Sequence, residues 1–345
     1  MTKEKIKVNM LSSSETIPGQ GVSGAYRELM RLLKRDAKDI IDLTENQRIK
    51  ADITHYHTID ISFYLSTFCK KRVGRRIGYV HFLPNTLRGS LRIPKIVQPI
   101  VAKYVTSFYN RMDHLVVVNP SFIEDLVAFG IDRDKITYIP NFVNSEKWFR
   151  PNADDRIAVR KRYDWTEEDF VVLGAGQIQK RKGIDDFVTL AKTNSDIQFV
   201  WAGGFSFGGM TDGYDVYKKL MKNPPTNLTF TGIVEADEMR QLYGACDLFL
   251  LPSFSELFPM TILEAAACGA PIMLRDLDLY RIILEGMYLP ASDVSKMGEA
   301  IRHLRAYPTA LNHLKTQSEN ISKTYSEERL LKTWIDFYRH QADLK

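Results

Sequence analysis

Two carboxylates eight residues apart, Glu256 and Glu264, lie in the stretch Ser255-Glu256-Leu257-Phe258-Pro259-Met260-Thr261-Ile262-Leu263-Glu264, which continues through Ala265-Ala266-Ala267-Cys268-Gly269. A strand pattern over Leu248 to Leu251 ends just before it, so the first carboxylate falls in a loop and the second one turn into a helix starting near Thr261. An acidic side chain inside an otherwise apolar helix is rarely buried without a partner, and ribose hydroxyls are such a partner. A glutamate on an exposed helix face is the competing reading. A second candidate is Gly174-Ala175-Gly176-Gln177-Ile178-Gln179-Lys180-Arg181-Lys182-Gly183, which follows a strand pattern and opens a helix. Three cations at a helix start oppose its dipole unless an anion binds there, and a diphosphate would resolve the conflict. A solvated charge run accounts for them equally well. The third candidate, Gly19-Gln20-Gly21-Val22-Ser23-Gly24, is a literal G-x-G-x-x-G and raises a nicotinamide oxidoreductase as a competitor. Its placement argues otherwise, because dinucleotide-binding glycines follow their strand at once whereas Ser12 to Pro18 insert seven residues here. A loop of this kind opening a helix still offers backbone NH groups and a dipole to an anion.

The elements that must hold these residues read as strands alternating with helices, the sign of parallel sheets flanked by helices. The first series is strand Ile6 to Leu11, helix Gly24 to Arg35, strand Ile53 to His57, helix Ile61 to Cys69, strand Arg76 to Val80, a basic helix, strand His114 to Val118, helix Ser121 to Phe129 and strand Ile136 to Ile139. Turn formers in Pro140 to Asp155 break the pattern and predict a linker. The second series has strands at Phe170 to Gly174, Gln198 to Trp201, Leu228 to Thr231, Leu248 to Leu251 and Pro271 to Leu274, with helices starting near Ile184, Tyr214, Glu235, Thr261 and Ser292. A last helix, Ser326 to His340, carries Leu330, Leu331, Trp334 and Phe337 on one face. With 345 residues to distribute, the expected organisation is a Rossmann-like domain over 1–148, a second over 149–325 and a C-terminal helix over 326–345. Ligands of such sheets bind at the carboxyl ends of the strands.

Composition narrows the function classes. Cys69, Cys246 and Cys268 are far apart and show neither a disulfide framework nor zinc-ligand spacing, so no metal is expected and a reducing cytoplasm fits. The apolar run Ile6 to Leu11 is too short for a membrane span or a signal-peptide core. The net charge of +5 is unevenly spread: between Ile61 and Met112 there is no Asp or Glu, while Lys70, Lys71, Arg72, Arg75, Arg76, Arg88, Arg92, Lys95, Lys103 and Arg111 all fall there among aromatic residues. An anionic partner is implied, and a membrane surface is preferred over nucleic acid because no nucleic-acid module accompanies the charges. Leu91 to Tyr109 has an amphipathic helical pattern whose regular part is expected to begin near Pro99; a core-facing helix gives the same pattern.

These motifs together resemble the retaining class 4 glycosyltransferases with the two-domain GT-B fold, over nearly the whole chain. Glu256 and Glu264 match that family's E-x7-E motif, Lys182 the lysine of its G-R-x-x-x-x-K-G phosphate element, and Gly21 the glycine of its N-terminal loop. Asp52-Ile53-Thr54-His55-Tyr56-His57, His81 after a strand, Val118-Asn119-Pro120-Ser121, Gly203-Gly204 and Thr231-Gly232-Ile233-Val234 add further matches. Where the family's phosphate element has arginine this chain has Gln177, with Arg181 at hand to supply the charge. Within the family, the Gly19 to Ala25 loop, Ile77-Gly78-Tyr79-Val80-His81-Phe82-Leu83-Pro84 and the G-x-G-Q-x-Q-x-R-K-G variant look like the bacterial diacylglycerol-glycolipid synthases.

The resemblance implies two Rossmann-like domains facing across a cleft, with a C-terminal helix able to pack back on the N-terminal domain. It implies a retaining, metal-independent hexosyltransferase without a cofactor, moving galactose or glucose from a UDP-sugar to monoglucosyl-diacylglycerol in making the lipoteichoic acid anchor. Diacylglycerol itself or a polysaccharide acceptor are the alternatives within the fold. Outside transferase chemistry stand the oxidoreductase and a non-catalytic membrane-surface protein. Glu256, His81 and Lys182 are the implied catalytic residues: Glu256 positions the donor hexose, His81 approaches the sugar or β-phosphate from the facing domain, and Lys182 neutralises the departing UDP. Donor binding is assigned to Gly21, Gln177, Arg181, Lys182, Gly203, Val234, Glu256, Leu257, Phe258, Pro259, Met260, Thr261 and Glu264, with the last on the ribose. Arg72, Arg75, Arg76, Arg88, Arg92, Lys95 and Lys103 are assigned to the acceptor membrane, which places the enzyme on the inner face of the cell membrane. No nucleic-acid partner is expected.

Overall fold

The computed structural model describes residues 4–13, 21–81, 83, 97–205, 208 and 213–344, with side chains in the first helix from Gly24 onward. They divide into two compact units, 1–142 with 327–345, and 143–326.

The first unit runs β1 (Ile6–Leu11), α1 (Gly21–Asp36), β2 (Ile41–Glu45), β3 (Ile53–Tyr56), α2 (Ile61–Ser66), α3 (Lys70–Val73), β4 (Arg75–Val80), α4 (Gln98–Asn110), β5 (His114–Val117), α5 (Phe122–Ala128) and β6 (Ile136–Tyr138). Its sheet has the order β2-β1-β3-β4-β5-β6, and every pairing is parallel. Strand β3 is buried at every position, as expected for a strand covered on both faces. The predicted helix Ile61 to Cys69 divides into α2 and α3 at Thr67 to Cys69, and α4 begins at Gln98, with Pro99 in its first turn, where proline's missing NH costs nothing.

The second unit runs α6 (Ala153–Arg162), β7 (Val171–Ala175), α7 (Ile184–Thr193), β8 (Gln198–Ala202), α8 (Tyr214–Lys222), β9 (Leu228–Gly232), α9 (Ala236–Ala245), β10 (Leu248–Leu251), α10 (Met260–Ala267), β11 (Ile272–Arg275), α11 (Asp278–Leu284), β12 (Leu289–Ala291), α12 (Val294–Ala306) and α13 (Pro308–Thr324). Its parallel sheet has the order β12-β11-β10-β7-β8-β9. The chain winds outward from β7 in one direction and resumes at β10 in the other, so β7 and β10 flank the topological switch point, where a crevice opens at the strands' carboxyl ends. Trp201, Phe187 and Phe199, all fully buried, pack edge to face beneath it.

The last helix, α14 (Glu327–Asp343), returns to the first unit. Its Trp334 is buried against His55 and Tyr79, and its Glu327 accepts a hydrogen bond from Arg35 of α1 at 2.9 Å. The apolar face read from Leu330, Trp334 and Phe337 is thus the face that docks.

Candidate functional site

Both motif loops of the second unit leave the sheet at its switch point. After β7 the chain passes Gly176 and Gln177 into a 3-10 turn, Lys180–Lys182, and only then through Gly183 into α7. This corrects the reading of three cations in the helix's first turn. That turn carries Asp185 and Asp186, which suit the positive end of the dipole. Gly183 adopts φ +74°, and a Cβ there would lie 2.2 Å from the carbonyl oxygen of Pro252, so only glycine lets the two loops approach this closely. The Phe254 NH donates to the Arg181 carbonyl at 2.9 Å and clamps them further.

The cations find their anion inside the protein. Lys182 Nζ donates to Glu256 Oε1 at 2.6 Å, and Arg181 Nη1 lies 3.6 Å from Glu256 Oε2. Arg181 Nη1 also donates to the Ser255 carbonyl at 2.6 Å. The Glu256 side chain is only 5% exposed. Burial pushes its carboxyl pKa up, but the charges of Lys182 and Arg181 outweigh burial and hold it below the ordinary value. Glu256 is therefore an ionised, desolvated carboxylate whose partners are two cations able to serve another anion.

The second glutamate occupies separate surroundings. Glu264, within α10, accepts a hydrogen bond from Tyr243 Oη at 3.3 Å and makes none of the contacts that tie Glu256 down. Helix α10 starts after Pro259 with no side-chain cap and no acidic residue in its first turn, so the NH groups of Met260 and Thr261 stand at an uncapped helix end. Phe258 is buried with its ring edge against Tyr325, and Leu257 is half-buried beside it. Gln177 accepts from Gln179 Nε2 at 2.8 Å and does not join the Glu256 cluster. Gly203, at φ +143°, crosses over the Gly176 carbonyl, where a Cβ would sit 2.0 Å from that oxygen. Val234 is half-buried in the loop between β9 and α9. The structure thus brings Arg181, Lys182 and Glu256 into one cluster, sets Gly203 beneath its loop, and leaves Gln177, Val234 and Glu264 outside it.

Gly21 and His81 belong to the first unit. Gly21 is the first residue of α1, and the rest of its loop, including Gly19 and Gln20, lies outside the described residues. His81 is buried beyond the end of β4 in a column of rings with Tyr79, His57 and His55. Burial lowers its pKa to about 3, so it is a neutral imidazole at neutral pH. Its Nε2, the Nε2 of His55 and both ring nitrogens of His57 are buried without hydrogen-bond partners among the described residues. His55 Nδ1 meets Tyr338 Oη of α14 at 2.8 Å.

The basic set divides on inspection. Arg76 donates from Nε (2.9 Å) and Nη2 (2.5 Å) to Asp113, with its side chain 7% exposed, and Arg75 donates to Gln341 of α14 at 2.5 Å. Arg76 is buried and committed to Asp113 within the first unit, whereas Arg75 is half-buried at the start of β4. Arg72 and Lys103 are exposed, as are Lys70 and Lys71, while Arg88, Arg92 and Lys95 lie outside the described residues. Beside the exposed cations stand apolar side chains the charge pattern did not single out: Ile61 (71% exposed), Leu65 (60%), Phe68 (59%) and Ile100 (69%). Ile61 and Leu65 are on α2 and Ile100 on α4, two helices joined by a hydrogen bond between the Tyr64 and Ser107 hydroxyls at 2.9 Å, while Phe68 follows α2 with the Arg111 guanidinium 3.5 Å over its ring. Among the described residues no helix is long and apolar enough to cross a membrane, and no group of His, Cys, Asp or Glu is arranged to hold a metal ion.

Two six-stranded parallel sheets, each flanked by helices, are the architecture of GT-B glycosyltransferases. Residues 155–287 match the family described as glycosyl transferases group 1, and residues 15–147 match glycosyltransferase family 4. The chain belongs to this glycosyltransferase family, and its enzymatic class is that of a sugar transferase. It is 62% identical over its whole length to the alpha-galactosylglucosyldiacylglycerol synthase of Streptococcus pneumoniae, covering 92% of that protein. Among solved structures it is similar to sucrose-phosphate synthase from Thermosynechococcus elongatus, with a TM-score of 0.80, 15% identity and coverage of 99% and 100% of the two chains. A likeness of TM-score 0.76 and 15% identity, covering 97% of this chain and 100% of the other, links it to Anabaena HepE in complex with UDP-glucose. The two structural likenesses establish the fold; the relationship to the streptococcal enzyme establishes the family.

Proposed function

We propose that this enzyme transfers a hexose, galactose in preference to glucose, from its UDP-sugar to monoglucosyl-diacylglycerol with retention of anomeric configuration. The observation that carries the donor half is the buried Lys182–Glu256–Arg181 cluster at the switch point, which pairs a sugar-binding carboxylate with cations that a diphosphate would claim. The lipid half is supported by the 62% identity to the streptococcal alpha-galactosylglucosyldiacylglycerol synthase. In this reading Glu264 accepts from the ribose, the NH groups of Phe258, Met260 and Thr261 hold the diphosphate, and Glu256 accepts from hexose hydroxyls.

The reaction breaks the bond between the anomeric carbon and the β-phosphate oxygen as the acceptor hydroxyl adds to the same face, with the acceptor's proton passing to the departing diphosphate. Positive charge builds on the sugar and negative charge on UDP. Lys182 and Arg181 stabilise the latter without a metal ion, and positioning with electrostatics supplies the rate. A two-chain lipid stays in its bilayer, so the enzyme must come to it. Ile61, Leu65, Phe68 and Ile100 would enter the interface of the inner leaflet while Lys70, Lys71, Arg72 and Lys103 meet anionic headgroups, each cation contributing about 1 kcal/mol.

The test is product analysis with purified protein, anionic vesicles bearing diacylglycerol or monoglucosyl-diacylglycerol, and UDP-galactose or UDP-glucose in turn. Galactosyl transfer to the monoglucosyl lipid is expected. Transfer to neither lipid would remove the acceptor assignment.

A further inference from the structure

Strand β11 is apolar until its last residue, Arg275, and that residue is only 7% exposed. Arginine is almost never buried unless its nitrogens are paired, and here all three are. Nε donates to the Pro252 carbonyl at 2.9 Å, Nη1 to the Ser292 carbonyl at 3.2 Å, and Nη2 to the Asp186 carboxylate. The guanidinium carbon stands 4.0 Å from the centre of the Phe254 ring, which is half open to solvent. These partners come from three connections. Pro252 and Phe254 follow β10, Ser292 follows β12, and Asp186 lies in the first turn of α7, just past the cationic turn that follows β7. In the sheet β11 lies between β12 and β10, and β7 is the next strand beyond β10. A single guanidinium therefore ties together the carboxyl ends on both sides of the switch point.

Stability alone is a poor reason for such a residue. Taking a guanidinium and a carboxylate out of water costs about as much as their attraction returns, and an apolar side chain would fill the strand end without that penalty. What the planar fork supplies is geometry, because its donors point in fixed mutual directions and so fix their partners relative to one another. Pro252 and Phe254 precede Glu256 in the same loop, whereas Asp186 and Ser292 lie outside that loop and give it a reference. The Phe254 NH, bonded to the Arg181 carbonyl at 2.9 Å, carries the same reference to the cationic turn. At the end of this scaffold the Glu256 carboxylate meets Lys182 Nζ at 2.6 Å.

We propose that Arg275 is a positioning residue for the transfer reaction: by holding Pro252 and Phe254 against Asp186 and Ser292, it sets where the Glu256 carboxylate stands relative to Lys182 and hence to the donor hexose. The inference rests on the reading that Glu256 serves that hexose. Misplacing such a group by about 1 Å can cost roughly a hundredfold in rate.

Arg275→Lys keeps a cation for Asp186 but replaces the planar fork with a point charge that cannot reach all the partners. With UDP-galactose and monoglucosyl-diacylglycerol vesicles, kcat is expected to fall about tenfold to a hundredfold while KM for the sugar nucleotide changes by less than about threefold. Calorimetry should still find UDP bound to every chain. In a Glu256→Gln background, which has no carboxylate to place, the same substitution should lower single-turnover transfer by less than about twofold. A merely structural role would instead reduce the fraction of chains that bind UDP, or cost the same factor in both backgrounds. Phe254→Leu is the second variant: a half-exposed side chain loses its face to the guanidinium, and kcat is expected to fall about two- to fivefold, again only where Glu256 is present. Wild-type kcat in Arg275→Lys overturns the proposal, as does a loss undiminished in the Glu256→Gln background or matched by fewer UDP sites. Should Arg275→Lys fail to fold, wild-type kcat in Phe254→Leu overturns it instead. Glu256→Gln alone keeps the two readings apart: wild-type turnover there removes Glu256 from the hexose, whereas impaired turnover there beside an unaffected Arg275→Lys removes the positioning role alone.

Discussion

Glu256→Gln preserves shape and removes charge, and the structure gives its effects on turnover and on nucleotide affinity opposite signs. In the donor-free protein Glu256 holds Lys182 at 2.6 Å and Arg181 at 3.6 Å. Breaking a buried ion pair costs about 3–5 kcal/mol, but Lys182 and Arg181 keep 14% and 31% of their side chains in contact with solvent and the amide oxygen can still accept from Lys182. A loss of about 1–2 kcal/mol in folding stability is therefore expected. Turnover loses a preorganised group at the reacting sugar, about 2.7–4 kcal/mol in the barrier, or roughly a hundredfold to a thousandfold in kcat. UDP binding moves the other way. On the proposed role of Lys182 at the diphosphate, the wild-type carboxylate competes for that lysine, and relieving the competition by about 1 kcal/mol tightens the UDP Kd roughly fivefold. Calorimetric titration of UDP into both proteins, beside single-turnover transfer, measures the two effects separately. UDP affinity that weakens in step with kcat, or a variant with wild-type turnover, would refute the competition argument.

Leu65→Asp and Ile100→Asp, at positions 60% and 69% exposed, should abolish sedimentation with anionic vesicles while leaving Tm and UDP affinity unchanged. Arg76→Ala should do the reverse: vesicle binding persists, and stability falls by about 2–4 kcal/mol as Asp113 loses its partner. Acid should destabilise the first unit through its histidines. Burial holds His55 and His81 at about 3 and His57 well below its ordinary value, while unfolding restores values near 6.5. Such groups cost nothing above pH 6.5; as pH falls from there toward about 3 the unfolded chain binds protons first, so stability drops by up to about 1.4 kcal/mol per pH unit per histidine. Urea midpoints measured from pH 7.5 to 5 should show this slope, and His57→Gln should remove about one proton's share of it. A flat profile would mean that the imidazoles are solvated.

Most of the parallel-sheet pattern was legible because a buried central strand must be nearly continuously apolar. Runs such as Leu248 to Leu251 and His114 to Val117 therefore announced themselves within a residue of their observed ends. The edge strands β2 (Ile41–Glu45) and β12 (Leu289–Ala291) escaped, the first because alternation leaves Asp42, Thr44 and Glu45 polar, the second because it has three residues with Pro290 at its centre. Helices α6, α11 and α13 escaped as well: the turn formers of Pro140 to Asp155 put only the start of α6 in a linker, although Asn152 and Asp155 close a capping box there.

At the site, the residue types that can do chemistry were all in the sequence: a carboxylate in a loop, a cationic run after a strand, and a helix start free of acidic residues. The spacing marked Glu256 and Glu264, and the family resemblance picked Lys182 out of the cationic run. Tertiary structure decided who meets whom. Lys182 and Glu256 are 74 positions apart and become neighbours only because β7 and β10 pair across the switch point. Tertiary packing likewise gives Glu264 the Tyr243 hydroxyl as a partner and sets Arg76 against Asp113.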